Sequence, residues 1–286
     1  MRHHVPVAPR GVIRHRGQLL SYTDLGPVSA PVVLLIHGMV SDSSTFARAA
    51  EQLAELGHRV IAPDLLGHGD SDKPVEGYQL ADFADSLGAL LTELGLAGAT
   101  VVGHSFGGAV AMQLAHQRPE LVRRLVLVSA GGLGRRVHPV LRAATLPGAH
   151  GLVRFVVNRR TAAIYRRPLL HRSLRLSPDV VANLGRAGRG LASPPARTAF
   201  FQTLKMAIDP FGQRGSLLEL EHVRLDLPTL IVWSEGDPVV PVVHAHQTHA
   251  HLLNSRLEIF PGSSHQPHHH SAERFVEALC DFIATT

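Results

Sequence analysis

The sequence predicts an α/β protein whose mostly parallel sheet is covered by helices on both faces and interrupted by a helical insertion. Short apolar, strand-like segments alternate with amphipathic helical patterns along most of the chain. Repeated strand-then-helix units are typical of a parallel sheet with helices on its faces. Between the apolar run ending at Ala130 and the next one at Thr229, roughly a hundred residues carry no pattern of a buried strand, which predicts an inserted unit.

Composition limits the class of protein. The chain has 286 residues, of which 45% are hydrophobic and 18% are charged, so it can bury a substantial core. Its longest apolar runs fall far short of the roughly 20 residues of a membrane span, and its basic start lacks the apolar segment of a secretory signal. Cys280 is the only cysteine, which excludes an internal disulfide and a cysteine zinc site. We therefore expect a cytoplasmic protein without a membrane span.

The predicted strands follow one another in a regular order. A hairpin turning near Arg16 and Gly17 supplies the first two strands. Six further segments complete an eight-stranded sheet: "VVLLIHG", "RVIAPD", "TVVGH", "RLVLVSA", "TLIVWSE" and "RLEIF". Helical spacing of apolar residues predicts a helix within residues 80–96 and another around Cys280.

The insertion is predicted to span residues 133–222, with residues 1–132 and 223–286 forming the core. Proline and glycine residues divide it into short helical patterns: "VHPVLRAATL", "HGLVRFVVNRRTAAIYRR", "PDVVANLGRAGRGL" and "ARTAFFQTLKMAI". We expect several short helices that cap the core. The apolar residues expected to form a pocket wall are Leu152, Phe155, Val156, Phe200, Phe201 and Met206.

The segment "VVGHSFGG" carries the strongest chemical signal. Ser105 follows a predicted strand, has Gly103 and Gly107 two residues away on either side, and precedes a small-residue helix. A sharp strand-to-helix turn presents a serine to substrate, and it crowds the flanking positions so closely that they must lack side chains. This pattern predicts that Ser105 is a nucleophile, provided that a base removes its proton.

The same segment predicts how an oxyanion would be stabilised. The helix after Ser105 directs its N-terminal N–H groups and positive dipole end toward the reaction centre, so the N–H of Phe106 is the expected first donor. "LLIHGMV" places a His-Gly turn after another strand, and the N–H of Met39 is the expected second donor. The Met39 side chain would then line the pocket.

These motifs, with "DLLGHGDSDKP" between them, resemble the capped branch of the α/β-hydrolase superfamily over nearly the whole chain. The resemblance implies a triad in the order serine, acid, histidine. It assigns the acid to Asp237 in "TLIVWSEGDPVVP" and the base to His265 in "RLEIFPGSSHQPHH". Glu235 is the alternative acid, and Asp237 is favoured because the family carries its acid in the turn that matches "GDPVVP". His104 adjoins Ser105 but is not expected to be the base.

A serine at the elbow implies acyl chemistry, because the epoxide hydrolases and haloalkane dehalogenases of the superfamily need a carboxylate there. Hydrolysis of small to medium hydrophobic carboxylic esters is the favoured function. "VSAGGLG" also resembles hydrolases that cleave carbon-carbon bonds of meta-cleavage products, which usually carry asparagine where this chain has His104. Two further alternatives stay open: a cofactor-free haloperoxidase or perhydrolase, and a non-catalytic protein that binds small hydrophobic molecules.

Several conspicuous residues are expected to be structural. In "DLLGHGDSDKP", the residues expected to shape a tight turn near the site are Asp64, Gly67, His68, Gly69 and Asp72. Among the twenty histidines, His246 and His249 share one face of the helix expected after Pro241, but no carboxylate is spaced to complete a metal site. We therefore expect neither a metal nor a cofactor.

The partners follow from charge and from the pocket. The formal net charge is +5, yet no aromatic-interleaved basic patch accompanies it, so nucleic-acid binding is not expected. Paired arginines of the insertion, such as Arg135 and Arg136, are expected on an exposed helix face, with a lipid-surface role as the alternative. The expected partner is a small hydrophobic ester. The oligomeric state is left open, with a homodimer as one option.

Overall fold

The computed structural model describes residues 10–149, 151, 191, 193–214 and 226–286. In chain order its strands are β1 (Arg10–His15), β2 (Gln18–Leu25), β3 (Val32–Ile36), β4 (Arg59–Pro63), β5 (Ala99–His104), β6 (Val122–Val128), β7 (Ile208–Asp209), β8 (Gly212–Gln213), β9 (Thr229–Ser234) and β10 (Ser255–Phe260). Eight of them form one sheet in the order β1-β2-β4-β3-β5-β6-β9-β10, and β7 pairs separately with β8. The predicted α/β fold with an eight-stranded sheet is confirmed.

Helices join most of these strands. Those of the described residues are α1 (Ala47–Glu55), α2 (Leu80–Glu93), α3 (Phe106–Gln117), α4 (Pro139–Ala143), α5 (Pro194–Ala207), α6 (Val243–His251), α7 (Pro267–His270) and α8 (Ala272–Thr285). Within this part of the chain, no helix combines the length and the apolar character that crossing a bilayer requires. Cys280 lies half-buried on α8, and burial raises the pKa of its thiol.

The direction of the strands positions the functional residues. β1 and β2 form the predicted antiparallel hairpin, in which Arg16 and Gly17 turn with positive φ angles of 49° and 79°. β2 also pairs antiparallel with β4, and every other pairing in the large sheet is parallel. The carboxyl ends of β3 to β6, β9 and β10 therefore meet at one edge of the sheet, where open α/β sheets place their ligands.

The core has a layer on each face of the sheet because alternate residues of a strand point to opposite faces. In β3, Leu34 packs in the layer with α2 and α3, whereas Val33 and Leu35 pack in the layer with α1 and α8. A reciprocal capping box between Gln79 and Asp82 begins α2. Burial on both faces explains why the central strands consist of continuous apolar runs.

The described part of the predicted insertion packs beside the carboxyl edge of the sheet. α4 lies within a predicted helical pattern, and α5 begins at Pro194, just before the pattern predicted from Ala196. The short β7–β8 hairpin is a feature that the sequence did not predict. Their apolar cluster contains Val137, Leu191, Phe200, Phe201, Leu204 and Ile208. The patterns "HGLVRFVVNRRTAAIYRR" and "PDVVANLGRAGRGL" lie almost entirely outside the described residues. The boundaries of the insertion at 133 and 222 remain predictions.

Candidate active site

Ser105 occupies the sharp turn between β5 and α3. Its backbone lies at φ 53° and ψ −121°, a conformation that residues with side chains rarely adopt. A Cβ atom on Gly103 would lie 2.3 Å from the Gly107 carbonyl oxygen, and one on Gly107 would lie 2.4 Å from the Ile36 carbonyl oxygen. The crowding expected from the sequence pattern is therefore present at both flanking glycines.

The structure brings Ser105, His265 and Asp237 together. His265 Nε2 lies 3.0 Å from Ser105 Oγ, and His265 Nδ1 lies 2.9 Å from Asp237 Oδ2. A carboxylate accepts hydrogen bonds, so His265 Nδ1 carries the proton and donates a hydrogen bond to Asp237. Nε2 is then left to accept the hydrogen bond from the Ser105 hydroxyl. This is the tautomer that a general base for serine requires.

The turn after β9 holds Asp237 in place. Its Oδ1 accepts hydrogen bonds from the backbone N–H groups of Val239 at 2.8 Å and Val240 at 3.0 Å, and its side chain is fully buried. The Trp233 indole donates to the Val240 carbonyl at 2.9 Å and braces the same turn. Glu235, the alternative acid, is exposed. Asp237 is thus the carboxylate in contact with His265.

The two residues expected to provide oxyanion donors lie beside Ser105. Met39 and Phe106 line the same cavity as Ser105 and His265. Phe106 is the first residue of α3, so its N–H group belongs to the unpaired first turn of that helix. A Cβ atom on Gly38 would lie 3.0 Å from Ser105 Cβ, which indicates how closely the Met39 loop approaches the elbow.

His37 fixes the loop that carries Met39. Its Nδ1 donates to the Gly38 carbonyl oxygen at 2.8 Å, and its Nε2 accepts a hydrogen bond from the Leu65 N–H at 2.9 Å. One nitrogen donates while the other accepts, which requires a neutral ring. Burial lowers the pKa of His37 and so favours this neutral form. The ring ties the Met39 loop to the loop after β4.

His104 contacts His265 but does not line the cavity. Its Nε2 lies 2.7 Å from the His265 carbonyl oxygen, and since a carbonyl only accepts, this nitrogen carries the proton. The His104 ring also packs on the rings of His265 and His268, with centroids 5.0 Å and 4.5 Å away. Burial, reinforced by neighbouring histidines, holds the pKa of His268 well below its ordinary value. The sequence did not predict this contact between the elbow and the His265 loop.

A mainly apolar cavity of about 330 Å³ opens onto Ser105 and His265. Phe200 and Met206 of the expected pocket wall line it, whereas Phe201 packs behind Phe200 with ring centroids 5.1 Å apart. Leu152, Phe155 and Val156, the other expected wall residues, lie outside the described residues. Of the expected wall residues that the structure describes, Phe200 and Met206 therefore line the cavity and Phe201 does not.

Gln213 is a lining residue that the sequence analysis missed. Its Oε1 accepts a hydrogen bond from the Gly132 N–H at 2.8 Å, and its Nε2 donates to the Arg136 carbonyl at 3.2 Å. It thereby links the β7–β8 hairpin to the loop after β6. No local pattern marks it, because its partners lie 81 and 77 residues away along the chain.

Buried polar contacts hold the glycine-rich turn after β4, and its residues 64–72 do not line the cavity. Gly67 and Gly69 have φ angles of 85° and 45°, and a Cβ atom on Gly69 would overlap the Asp64 carboxylate. His68 is buried and its Nδ1 donates to the Leu66 carbonyl at 3.0 Å. Burial lowers the pKa of His68 to about 3. These contacts agree with the structural role expected for this turn.

The histidine-rich helix lies away from the cavity. α6 begins just after Pro241 as predicted, and His246 and His249 are exposed on it. His249 Nδ1 lies 2.8 Å from the Ser255 hydroxyl. In residues 10–149, 151, 191, 193–214 and 226–286, no three or more His, Cys, Asp or Glu side chains are grouped so that they could hold a metal ion.

A parallel-rich sheet with a serine elbow, a histidine and a carboxylate at one edge has the architecture of an α/β hydrolase. The family model described as the alpha/beta hydrolase fold matches residues 31–271, and the chain belongs to this family. It is 39% identical over 271 residues to an uncharacterized protein of Mycobacterium tuberculosis, covering 90% of this chain and 76% of that protein.

Two further similarities come from proteins with stated activities. The chain is 30% identical to a 2-hydroxymuconate semialdehyde hydrolase of Pseudomonas putida, covering 88% of this chain and 86% of that enzyme. The crystal structure of the esterase RhEst1 from Rhodococcus sp. matches with a TM-score of 0.69 at 25% identity, covering 96% of this chain and 97% of the esterase. The family and these relatives support hydrolase activity for this chain.

Proposed function

We propose that this protein is a serine esterase that hydrolyses small to medium hydrophobic carboxylic esters through an acyl-enzyme on Ser105. The observation that carries the proposal is the hydrogen-bonded line from Ser105 Oγ through His265 to Asp237. It supplies a nucleophile, a base and an orienting carboxylate in the geometry that acyl transfer needs. The same line favours catalysis over ligand binding without turnover.

In the acylation step, His265 Nε2 takes the Ser105 hydroxyl proton while Oγ bonds to the ester carbonyl carbon. The carbonyl electron pair moves onto its oxygen, which the N–H groups of Met39 and Phe106 stabilise. Collapse of this intermediate breaks the bond to the alcohol oxygen, and the alcohol leaves with the proton from His265. Asp237 stays ionised and stabilises the imidazolium that forms transiently.

In the deacylation step, water takes the place of the alcohol. His265 removes a proton from water as its oxygen attacks the acyl carbonyl, and a second oxyanion forms at the same two N–H groups. Its collapse releases the carboxylic acid and returns the proton from His265 to Ser105 Oγ. The enzyme is thereby restored, and one water has been consumed for each ester.

The cavity supports the choice of substrate. Its volume of about 330 Å³ lies near the lower end of the range of about 300–1,000 Å³ that is common for ligand pockets. Met39, Val137, Leu141, Phe200 and Met206 give it an apolar lining. Apolar acyl groups of short to medium length therefore fit better than long ones.

A second candidate is the hydrolysis of carbon-carbon bonds. Its support is the similarity to 2-hydroxymuconate semialdehyde hydrolase, together with the position of "VSAGGLG". Gly131 and Gly132 of this segment line the cavity, and the Gly131 N–H donates to the Ser105 carbonyl at 2.8 Å. Vinylogous diketone acids are the substrates that test this alternative.

The test combines an active-site probe with ester turnover. A fluorophosphonate probe is added to the wild type, Ser105→Ala and His265→Ala, and p-nitrophenyl esters of increasing acyl length are assayed with the same proteins. The matched control is Ser129→Ala, which removes the hydroxyl of another buried serine that directly follows a neighbouring strand and does not line the cavity. We expect labelling and turnover in the wild type and control only, with a loss of about 10⁴-fold or more in Ser105→Ala.

The outcomes separate the candidate functions. Full esterase activity in Ser105→Ala would contradict the proposed mechanism. Labelling without turnover of any ester would favour carbon-carbon bond hydrolysis, and assays with a vinylogous diketone acid would follow. If the probe does not label the wild type, the alternative of a non-catalytic protein that binds small hydrophobic molecules would be favoured.

A further inference from the structure

A second groove, of about 350 Å³, lies against the outside of the wall that encloses the cavity beside Ser105. The groove and the cavity share Val137 and Val239, which separate them. We call it the arginine groove, and the side chains that define it are Arg135, Arg136, Arg142, Phe211, Pro238 and Pro241. It combines cationic and apolar surface next to the candidate active site.

The arginine groove carries excess positive charge. Arg135 lies 3.6 Å from Asp209, whereas Arg136 and Arg142 form no ion pair within the described part of the chain. No Asp or Glu belongs to the described lining of the groove. Guanidinium groups left without carboxylate partners are suited to bind anionic oxygens, phosphate groups in particular.

Phe211 projects from the edge of this groove with 77% of its surface exposed. The Asp209 carboxylate accepts its N–H at 2.8 Å, and Arg142 Nε donates to the Pro210 carbonyl at 2.9 Å. Gly212 has a φ of 140°, and a Cβ atom there would lie 2.1 Å from the Arg135 carbonyl oxygen. Specific contacts therefore hold the turn that carries Phe211, and they keep its ring exposed at the surface.

We propose that the arginine groove and Phe211 dock this protein on an anionic lipid surface. Arginines attract anionic headgroups, and an aromatic ring inserts at the level where headgroups meet acyl chains. Val140, on α4 beside the groove, is 66% exposed and adds apolar surface. A small dissolved anion would pair with the arginines but would give no role to Phe211 or Val140. The inference does not depend on the reaction at Ser105.

The test measures vesicle binding with the full chain carrying Ser105→Ala, so that turnover cannot alter the lipid. Co-sedimentation is compared on phosphatidylcholine vesicles and on vesicles that also contain phosphatidylglycerol. We expect binding only to the second kind, weakened by salt. Phe211→Ser should weaken vesicle binding about tenfold, because it removes the aromatic ring. Phe211→Trp should retain vesicle binding, because it replaces the phenyl ring with another aromatic ring. Arg136→Gln should weaken it about fivefold.

Matched controls come from the opposite edge of the sheet. Leu253 is fully exposed just before β10, and Arg123 is exposed at the amino end of β6. Leu253→Ser and Arg123→Gln should leave vesicle binding unchanged, because neither residue lies near the groove. Circular dichroism spectra identical to that of the parent would show that each variant is folded.

Four outcomes would overturn the proposal. They are no binding to anionic vesicles, equal binding to neutral vesicles, an equal loss in the control variants, and full binding by Phe211→Ser. The last of these, combined with a loss in Arg136→Gln, would identify the groove as a site for a dissolved anion.

Discussion

Asp64 and Asp237 are two buried carboxylates that the fold positions alike. Each follows a parallel strand of the large sheet at the same edge, and each accepts two backbone hydrogen bonds. Asp64 accepts from the N–H groups of Ser43 at 2.8 Å and Asp70 at 2.9 Å. Asp237 accepts from the N–H groups of Val239 and Val240 in its own turn. Burial and backbone contacts alone do not distinguish them.

Asp64 and Asp237 differ in the third group that each contacts. Asp64 faces the Arg10 guanidinium at 3.1 Å, whereas Asp237 faces the His265 ring. A guanidinium stays protonated, so Arg10 cannot take a proton from a neighbouring group. An imidazole has a second nitrogen, and here that nitrogen faces the Ser105 hydroxyl. A buried carboxylate after a strand therefore has catalytic potential only through the group it orients.

The largest expected effect is on activity, in Asp237→Asn. The amide cannot hold His265 in the tautomer that leaves Nε2 free to accept a proton, so kcat/KM should fall about 10⁴-fold. The free energy of unfolding should change little by comparison, because the side chain keeps its size. Ester hydrolysis and urea unfolding measure the two effects. A loss of activity below about tenfold would mean that Asp237 does not orient the base.

The counterpart, Asp64→Asn, should affect stability instead. Asp64 is fully buried, and an amide there would turn an N–H donor toward the Ser43 or Asp70 N–H and would remove one of the two carboxylates that pair with Arg10. We expect a loss of about 3 kcal/mol in the free energy of unfolding, with kcat/KM of the folded fraction within about fivefold of wild type.

The control for Asp64→Asn is Asp70→Asn, which also removes a partner of Arg10 but from a largely exposed position. Its cost should be about 1 kcal/mol or less, as for other surface ion pairs. Equal losses in the two variants would show that burial of Asp64 is not the cause.

His68, in the turn after Asp64, should make the free energy of unfolding depend on pH. Burial lowers the pKa of His68 to about 3, whereas in the unfolded chain it titrates near its ordinary value of 6.5. The unfolded state therefore binds the extra proton, and stability is lost as pH falls from about 6.5 toward 3. At pH 5 this histidine should cost about 2 kcal/mol relative to pH 8.

His68→Asn isolates that contribution. The asparagine amide can still donate to the Leu66 carbonyl, as His68 Nδ1 does, but it does not titrate. Urea unfolding of both proteins at pH 5 and pH 8 should give a shallower pH dependence for the variant, by about 2 kcal/mol. Parallel pH profiles would show that His68 is not held neutral in the fold.

The smallest expected effect concerns His104, on the Asp237 side. Its hydrogen bond to the His265 carbonyl braces the loop that carries the base. His104→Leu should lower kcat about tenfold with KM unchanged, and His104→Gln, which keeps an N–H donor, should restore part of the loss. The proton resonance of His265 Nδ1 should shift in the leucine variant only. Equal effects of both substitutions on kcat and on that resonance would argue against a positioning role.

Local sequence patterns predicted the elements because their physical causes are local. The glycines around Ser105 and the alternation of β3 can be recognised within a few residues, and both agree with the structure. The choice of Asp237 over Glu235 was less local, since both follow the same strand, and it depended on the likeness of their turn to that of a known family.

Long-range contacts could not be predicted in this way. His104 meets a carbonyl 161 residues later in the chain, and Gln213 meets an N–H group 81 residues earlier. Such pairs depend on how the loops at the carboxyl edge settle against one another. Neither side chain belongs to a pattern that sets it apart from an ordinary buried polar residue.

The strained backbone of Ser105 affects which residues can replace it during evolution. A residue with a side chain at φ 53° and ψ −121° costs the fold about 1–3 kcal/mol relative to relaxed backbone, and glycine would avoid most of that cost. Selection for stability alone would therefore drive this position toward glycine. A lineage that keeps serine here accepts a less stable fold in exchange for its hydroxyl.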